Sequence, residues 1–378
     1  MARGRLSGQP KNRHNHCNWT DISHLFLLAS IALYLPGCSS VGPSSVDRDR
    51  FDYINAISSS WKQQMLLNIV KLRYFDTPVF LTVSQIISGY ELQGSMDVKG
   101  TLNIGSAMGD IVDLGPSGSF TDRPTITYSP LTGVDFLQVL IAPISPWNLL
   151  RLIIEGWPID AVLQIGAQSI NGLSNRKAGA RSHAADFDFY RLLAALRRLQ
   201  DADALDIRME ALKETDRVRT ELVISRKDNS PEIQADTKLV RELLGLRPDQ
   251  QEVQVVYGAA SEKAHVISMQ TRSGFQIMSH LGSNIEVPPE HAAEQRTYPP
   301  MPALSDSLSL PPLVRIHAQK SQPAPSDSFV AVNYRDYWYW IDDRDYRSKR
   351  VLTFLMIIMT LAEKGEKVQP PTLTIQGN

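Results

Sequence analysis

The segment from Tyr334 to Arg347 concentrates side chains that could do chemistry, because consecutive aromatic residues lead into a turn rich in carboxylates. Aromatic rings can stack on sugar rings, and carboxylates can accept hydrogen bonds from hydroxyl groups or coordinate a cation. The candidate binding residues are Tyr337, Trp338, Tyr339, Trp340, Asp342, Asp343 and Asp345. This pattern predicts a surface that binds a partner protein or a glycan such as peptidoglycan.

The same segment also has a structural interpretation. The pattern predicts a strand from Phe329 to Trp340. Alternation along it would place Tyr334, Trp338 and Trp340 on one face, and Tyr337 and Tyr339 on the other. One aromatic row would then pack beneath the following helix, and the acidic residues would stabilise the N-terminus of that helix. The sequence leaves both interpretations open.

Signatures of common enzymes are absent from the rest of the chain. It contains no phosphate-binding loop, dinucleotide-binding glycine motif, His-Glu-x-x-His, Cys-x-x-Cys or Gly-x-Ser-x-Gly. Ser-x-x-Lys occurs at Ser59–Lys62 and Ser174–Lys177, but no Lys-Thr-Gly follows as in serine acyl-transferases of the cell wall. We therefore predict no catalytic residue, no metal and no cofactor. A hydrolase that uses Asp342 and Asp345 is the third alternative.

The first forty residues predict export. Basic residues precede an apolar stretch from Leu25 to Tyr34, which is followed by Leu35-Pro36-Gly37-Cys38. A run of about ten apolar residues is too short to span a bilayer, so it indicates a signal peptide. Leu-x-Gly-Cys after such a run resembles the lipobox of bacterial lipoproteins. The resemblance implies that residues 1–37 are removed and that Cys38 carries the lipid, including an acyl chain such as palmitate.

The resemblance also implies a location. Ser39 stands where lipoproteins retained in the inner membrane carry Asp, so the outer membrane, on its periplasmic side, is the expected site. Residues 38–46 would form a lipidated tether. Cys17 lies in the predicted signal, so no cysteine pair remains for a disulfide. The body resembles uncharacterised proteobacterial lipoproteins, and that resemblance implies no specific activity.

Composition predicts an ordinary globular body. The chain has 378 residues, of which 43% are hydrophobic and 21% charged, a length typical of about two domains. Its 39 Lys and Arg balance 40 Asp and Glu, which argues against a nucleic-acid partner. The expected partners are the lipid bilayer, through acylated Cys38, and an envelope protein.

Hydrophobic periodicity predicts an α+β fold in two domains. The first, residues 47–175, combines an N-terminal helix and a small antiparallel sheet with three short helices in a region that Pro143, Pro146 and Pro158 interrupt. The second, residues 185–378, is a mixed α/β unit with a Pro-rich loop at 287–312. It begins with an amphipathic helix whose apolar residues are Phe189, Leu192, Leu193, Leu196 and Leu199. The polar stretch Asn171–Ala184 at their boundary is expected to be an exposed linker. We therefore expect a non-enzymatic interaction or structural component of a cell-envelope assembly.

Overall fold

The computed structural model describes residues 45–87, 90–101, 111–122, 125–136, 140–176, 185–211, 218–224, 230–258, 266–298, 312–320 and 324–362. The signal segment, Cys38 and the tether up to residue 44 lie outside these ranges, as do residues 299–311 of the Pro-rich loop.

The fold is α+β, as the sequence predicts. The helices are α1 (Ser45–Arg73), α2 (Gly133–Phe136), α3 (Pro146–Ile154), α4 (Ile159–Gly166), α5 (Phe187–Asp201), α6 (Pro231–Leu244), α7 (Gly274–Gly282), α8 (Pro289–Ala293) and α9 (Tyr346–Ala362). The strands are β1 (Leu81–Ile87), β2 (Tyr90–Thr101), β3 (Ile111–Asp122), β4 (Thr125–Pro130), β5 (Ala167–Ile170), β6 (Leu173–Ser174), β7 (Leu205–Ala211), β8 (Val218–Ile224), β9 (Glu252–Tyr257), β10 (Val266–Thr271), β11 (His317–Lys320), β12 (Ser328–Tyr334) and β13 (Tyr337–Asp342). None of the helices among the described residues is long and apolar enough to cross a membrane.

Four sheets are formed by these strands. The largest has the order β6-β5-β10-β9-β8-β7, in which β9 and β10 run parallel and the other neighbours antiparallel. A three-stranded antiparallel sheet has the order β11-β13-β12. Two-stranded sheets pair β1 with β4 and β2 with β3.

The amphipathic pattern after the predicted linker forms α5. Its apolar residues recur at three- and four-residue steps and are buried in the core, as predicted. They are Phe189, Leu192, Leu193, Leu196 and Leu199. The three short helices expected between the prolines are also present as α2, α3 and α4.

Contacts divide the chain into two compact units. One comprises Met1–Ala56 and Ile87–Thr125, and the other Ile57–Ile86 and Ile126–Asn378. In the second unit, β5 pairs with β10, so the large sheet takes strands from both sides of residues 176–184. The stretch from Asn171 that was predicted to be an exposed linker begins within this sheet, since Leu173–Ser174 forms β6 and Asn175 is buried.

Side-chain amides of α1 hold the start of β1 in the second unit. Asn68 donates from Nδ2 to the Val79 carbonyl at 2.7 Å and accepts the Val79 N–H at 3.0 Å. Gln64 makes the same pair of bonds with Leu81, at 3.2 and 2.7 Å. Four residues along a helix cover about the same length as two residues along a strand. The two amides therefore make the hydrogen bonds that a neighbouring strand would make, and they occupy this part of the β1 edge.

The C-terminal sheet corrects two predictions. The strand predicted from Phe329 to Trp340 is a hairpin, because Arg335 and Asp336 form a two-residue turn with φ of 52° and 66°. Both residues lie in the left-handed region that favours glycine. Neither is a glycine, so the sequence does not mark this turn. The Pro-rich loop is also more structured than predicted, since it contains α8.

Candidate functional site

The two faces of β13 separate the predicted aromatic site into two environments. Tyr337 and Tyr339 are buried, whereas Trp338 and Trp340 are only partly buried on the opposite face. The predicted separation of tyrosines from tryptophans is therefore confirmed. Tyr334 pairs with Tyr337 across the hairpin and so lies on the tyrosine face, not with the tryptophans.

The outer face of the sheet presents the two tryptophans on its central strand. Trp338 lies opposite Gln319 of β11 and Asn333 of β12. Trp340 lies opposite His317, whose ring centroid is 5.2 Å from that of the indole. His317 Nδ1 is in turn 2.9 Å from a carboxylate oxygen of Glu286. Aromatic rings flanked by amide and imidazole groups can stack on a sugar and bind its hydroxyl groups.

A groove of about 390 Å³ opens beside Trp338. Its wall includes Phe329 of β12 and Lys62 of α1, with the Lys62 ammonium 4.7 Å from the centre of the Phe329 ring. No described carboxylate lies within ion-pair distance of Lys62, so its charge is directed at the ring and the groove. The remaining wall residues are Ser59, Gln63, Ala324, Pro325, Ser326, Ser328, Val330 and Ala331.

Ser59 and Lys62 belong to one of the Ser-x-x-Lys motifs, and both line this groove. They form no hydrogen bond with each other, because the Lys62 ammonium lies over the Phe329 ring. A nucleophilic serine needs a base within hydrogen-bond reach. This geometry favours binding over acyl transfer.

The inner face of β13 carries a hydrogen-bonded cluster. The Tyr74 hydroxyl lies 2.7 Å from the Tyr339 hydroxyl and 2.7 Å from His291 Nδ1. Tyr337 donates a hydrogen bond to the Glu290 carboxylate. Sequence reasoning missed Tyr74, Glu290 and His291, because they lie far from β13 in the chain and belong to no motif.

The tyrosines of this cluster remain protonated near neutral pH. Burial raises the pKa of Tyr74 and, with the Tyr74 hydrogen bond, that of Tyr339. The hydrogen bond to Glu290 raises the pKa of Tyr337 to about 12. Burial and then the charge of Arg296 lower the pKa of His291, so its neutral form is favoured. The cluster therefore contains no activated base among its tyrosines.

The three predicted carboxylates do not converge on one cleft. Asp342 accepts the Arg344 N–H at 2.8 Å, and Asp343 pairs with Lys349 Nζ at 2.7 Å. Asp345 accepts the Ser348 N–H at 3.1 Å and its hydroxyl at 2.7 Å, which is a cap at the start of α9. Although burial raises the pKa of Asp345, these bonds lower it below its ordinary value. The positions of the three carboxylates match the interpretation in which acidic residues stabilise the N-terminus of the following helix.

No group of His, Cys, Asp and Glu that could hold a metal ion occurs within the described ranges. Comparisons with known proteins supply no further assignment: no protein-family model, curated protein or solved structure matches the chain.

Proposed function

We propose that the chain is a lipid-anchored, non-enzymatic interaction component of the cell envelope, and that it binds an extended protein segment along β4. The lipobox resemblance at Cys38 supports the anchor and the periplasmic face of the outer membrane. Within the described ranges no strand pairs with the outer edge of β4, and this edge supports the interaction.

Backbone direction identifies this edge. The Leu131 N–H donates to the Phe80 carbonyl at 2.9 Å, and the Ser129 and Thr127 carbonyls accept from the Thr82 and Ser84 hydroxyls. Because backbone groups alternate in direction along a strand, those of Ile126 and Tyr128 point away from β1. Pro130 follows the same alternation, so its missing N–H lies on the open side, where proline is tolerated.

The surface around this edge is apolar and uncovered. All six residues of β4 are exposed, including Ile126 at 38% and Tyr128 at 56%, and Leu81 of β1 is 46% exposed. Neighbouring apolar side chains on an edge strand are typical of a surface that accepts an additional strand. The α1 amides at Gln64 and Asn68 already occupy one edge of the two-stranded sheet, so addition is directed to β4.

A photo-crosslinking residue at position 126, introduced into the full chain in cells, tests this interaction. We expect one discrete crosslinked product from position 126 and none from position 232, an exposed site on α6. Tyr128→Pro should remove the product, because it deletes an outward N–H while leaving the bonds to β1 intact. Equal products from both positions, or a product that survives Tyr128→Pro, would contradict strand addition.

The anchor has a separate test. Cys38→Ser should leave an uncleaved, unlipidated precursor, and the mass of the N-terminal peptide measures both changes. A mature variant still recovered in outer-membrane fractions would disprove anchoring through Cys38.

A glycan ligand is the second candidate, and the groove beside Trp338 is the observation that favours it. Phe329 and Trp338 provide apolar surfaces for sugar rings, and Lys62 provides a charge for a carboxylate or polar substituent. Sedimentation with purified sacculi tests it: Trp338→Ala and Lys62→Met should each reduce retention at least about fivefold, as expected for loss of about 1 kcal/mol. Tyr346→Ala, which removes an exposed ring, is the matched control. Unchanged retention of both groove variants would eliminate the glycan candidate.

A further inference from the structure

Arg73, the last residue of α1, is a buried cation without an acceptor. Its side chain is only 1% exposed, and Nε and Nη1 are enclosed with no hydrogen-bond partner. No carboxylate among the described residues lies within ion-pair distance of it. A charge removed from water in this way is strongly destabilising unless something pairs with it.

The surroundings of Arg73 hold it in place without satisfying its N–H groups. Its guanidinium carbon lies 4.0 Å from the centre of the Tyr298 ring. The Thr297 hydroxyl donates to the Arg73 carbonyl at 2.8 Å. Gly282 packs against the same helix end, where a Cβ would come within 3.1 Å of the Ile69 carbonyl oxygen. The aromatic face and the helix C-terminus both favour a cation, but neither accepts its hydrogen bonds as an oxyanion would.

Nearby acidic groups already have other partners. Asp76 accepts a hydrogen bond from the Tyr334 hydroxyl at 2.9 Å, and Glu294 forms an ion pair with Arg296. Arg335 adds a further positive charge, since it acts with Arg73 on the Tyr74 hydroxyl. Neither of these acidic groups therefore pairs with the Arg73 guanidinium.

We infer that Arg73 binds the oxyanion group, a carboxylate or phosphate, of a ligand that enters beside Tyr298. A guanidinium matches such groups through paired N–H donors, and binding would supply the missing countercharge. This site is distinct from the groove and from the β4 edge, so it adds a ligand to the proposed function.

Thermal unfolding of the full chain in detergent tests the inference. Sodium phosphate and sodium acetate, each at about 10 mM, are compared with sodium chloride at equal ionic strength. We expect at least one of the two oxyanions to raise the Tm of the wild type by about 3 °C or more. The anion that gives the larger rise identifies the ligand as a phosphate or a carboxylate.

Arg73→Met separates the site from general salt effects. Because it replaces an uncompensated charge by an apolar chain of similar length, we expect a higher Tm in chloride and no rise with either oxyanion. Arg73→Lys should fold and need a several-fold higher oxyanion concentration for the same rise. Lys238→Met, which removes an exposed cation on α6, should keep the wild-type response. No rise in the wild type, or an equal rise in Arg73→Met or Arg73→Lys, would overturn the inference.

Discussion

The two faces of β13 carry similar aromatic residues but differ in what those residues contact. On the inner face, the Tyr337 and Tyr339 hydroxyls are bonded within the protein, to Glu290 and Tyr74. On the outer face, the Trp338 ring lines an open groove, and the Trp340 ring lies against His317. One strand therefore has a face that stabilises the fold and a face that is available to a ligand.

The largest expected effect comes from emptying the inner face. Tyr339→Ala should lower the free energy of unfolding by about 3–5 kcal/mol, because it leaves a cavity and deprives Tyr74 of its partner. Urea denaturation of the full chain measures the change. Tyr346→Ala is the control, since Tyr346 is 73% exposed and its removal should cost about 0.5 kcal/mol or less. A loss for Tyr339→Ala below about 1 kcal/mol would show that the inner face is not structural.

Acid pH should weaken the same face through His291. Burial, and then the charge of Arg296, lower the pKa of His291 below its ordinary value of 6.5. Arg335 also lowers this pKa, whereas Glu294 and Glu290 raise it. The unfolded chain therefore binds a proton below about pH 6.5 that the folded chain excludes. This contribution to stability is complete above pH 6.5 and is lost on acidification by at most about 1.4 kcal/mol per pH unit.

His291→Asn isolates this contribution, because Asn keeps an acceptor but does not titrate. Urea denaturation between pH 7 and pH 5 should show a steeper loss for the wild type than for the variant. Parallel profiles would mean that His291 is protonated equally in both states.

Removing one hydroxyl group should have a smaller effect. Tyr339→Phe should lower the free energy of unfolding by about 1 kcal/mol, since the packing remains and Tyr74 keeps its contact with His291. Tyr337→Phe should cost less, because its partner Glu290 is exposed to solvent and can be hydrated. Urea denaturation of the two variants shows which hydroxyl contributes more to the free energy of unfolding. The reverse order would show that Glu290 is the stronger anchor.

Much of the fold could be predicted because it depends on local pattern. The spacing of Phe189, Leu192 and Leu196 specifies which side of α5 is buried, wherever that helix packs. The start of α9 was also predictable, because the Asp345 side chain caps the helical turn that directly follows it in the chain. Short-range chemistry of this kind is visible in the residues themselves.

The site was less predictable because its groups meet only in the folded chain. The turn at Arg335 and Asp336 has no glycine, so one strand was predicted where a hairpin forms. Lys62 approaches Phe329 from a helix more than 260 residues earlier in the chain, and Tyr74 approaches Tyr339 across a similar separation. Alternation separated the tyrosines from the tryptophans, but only tertiary contacts determine which row is buried.

The outer face should contribute little to stability, and this makes the comparison decisive. Trp338→Ala removes a partly buried ring that borders open space, so the free energy of unfolding should fall by less than about 1.5 kcal/mol. Urea denaturation compares this variant with Trp340→Ala, whose ring lies on the same face of the same strand. If Trp338→Ala loses sacculus retention while remaining nearly as stable as the wild type, its ring is held for a ligand. If it instead destabilises the chain as much as Tyr339→Ala, both faces of β13 support the fold and the groove is a by-product of packing.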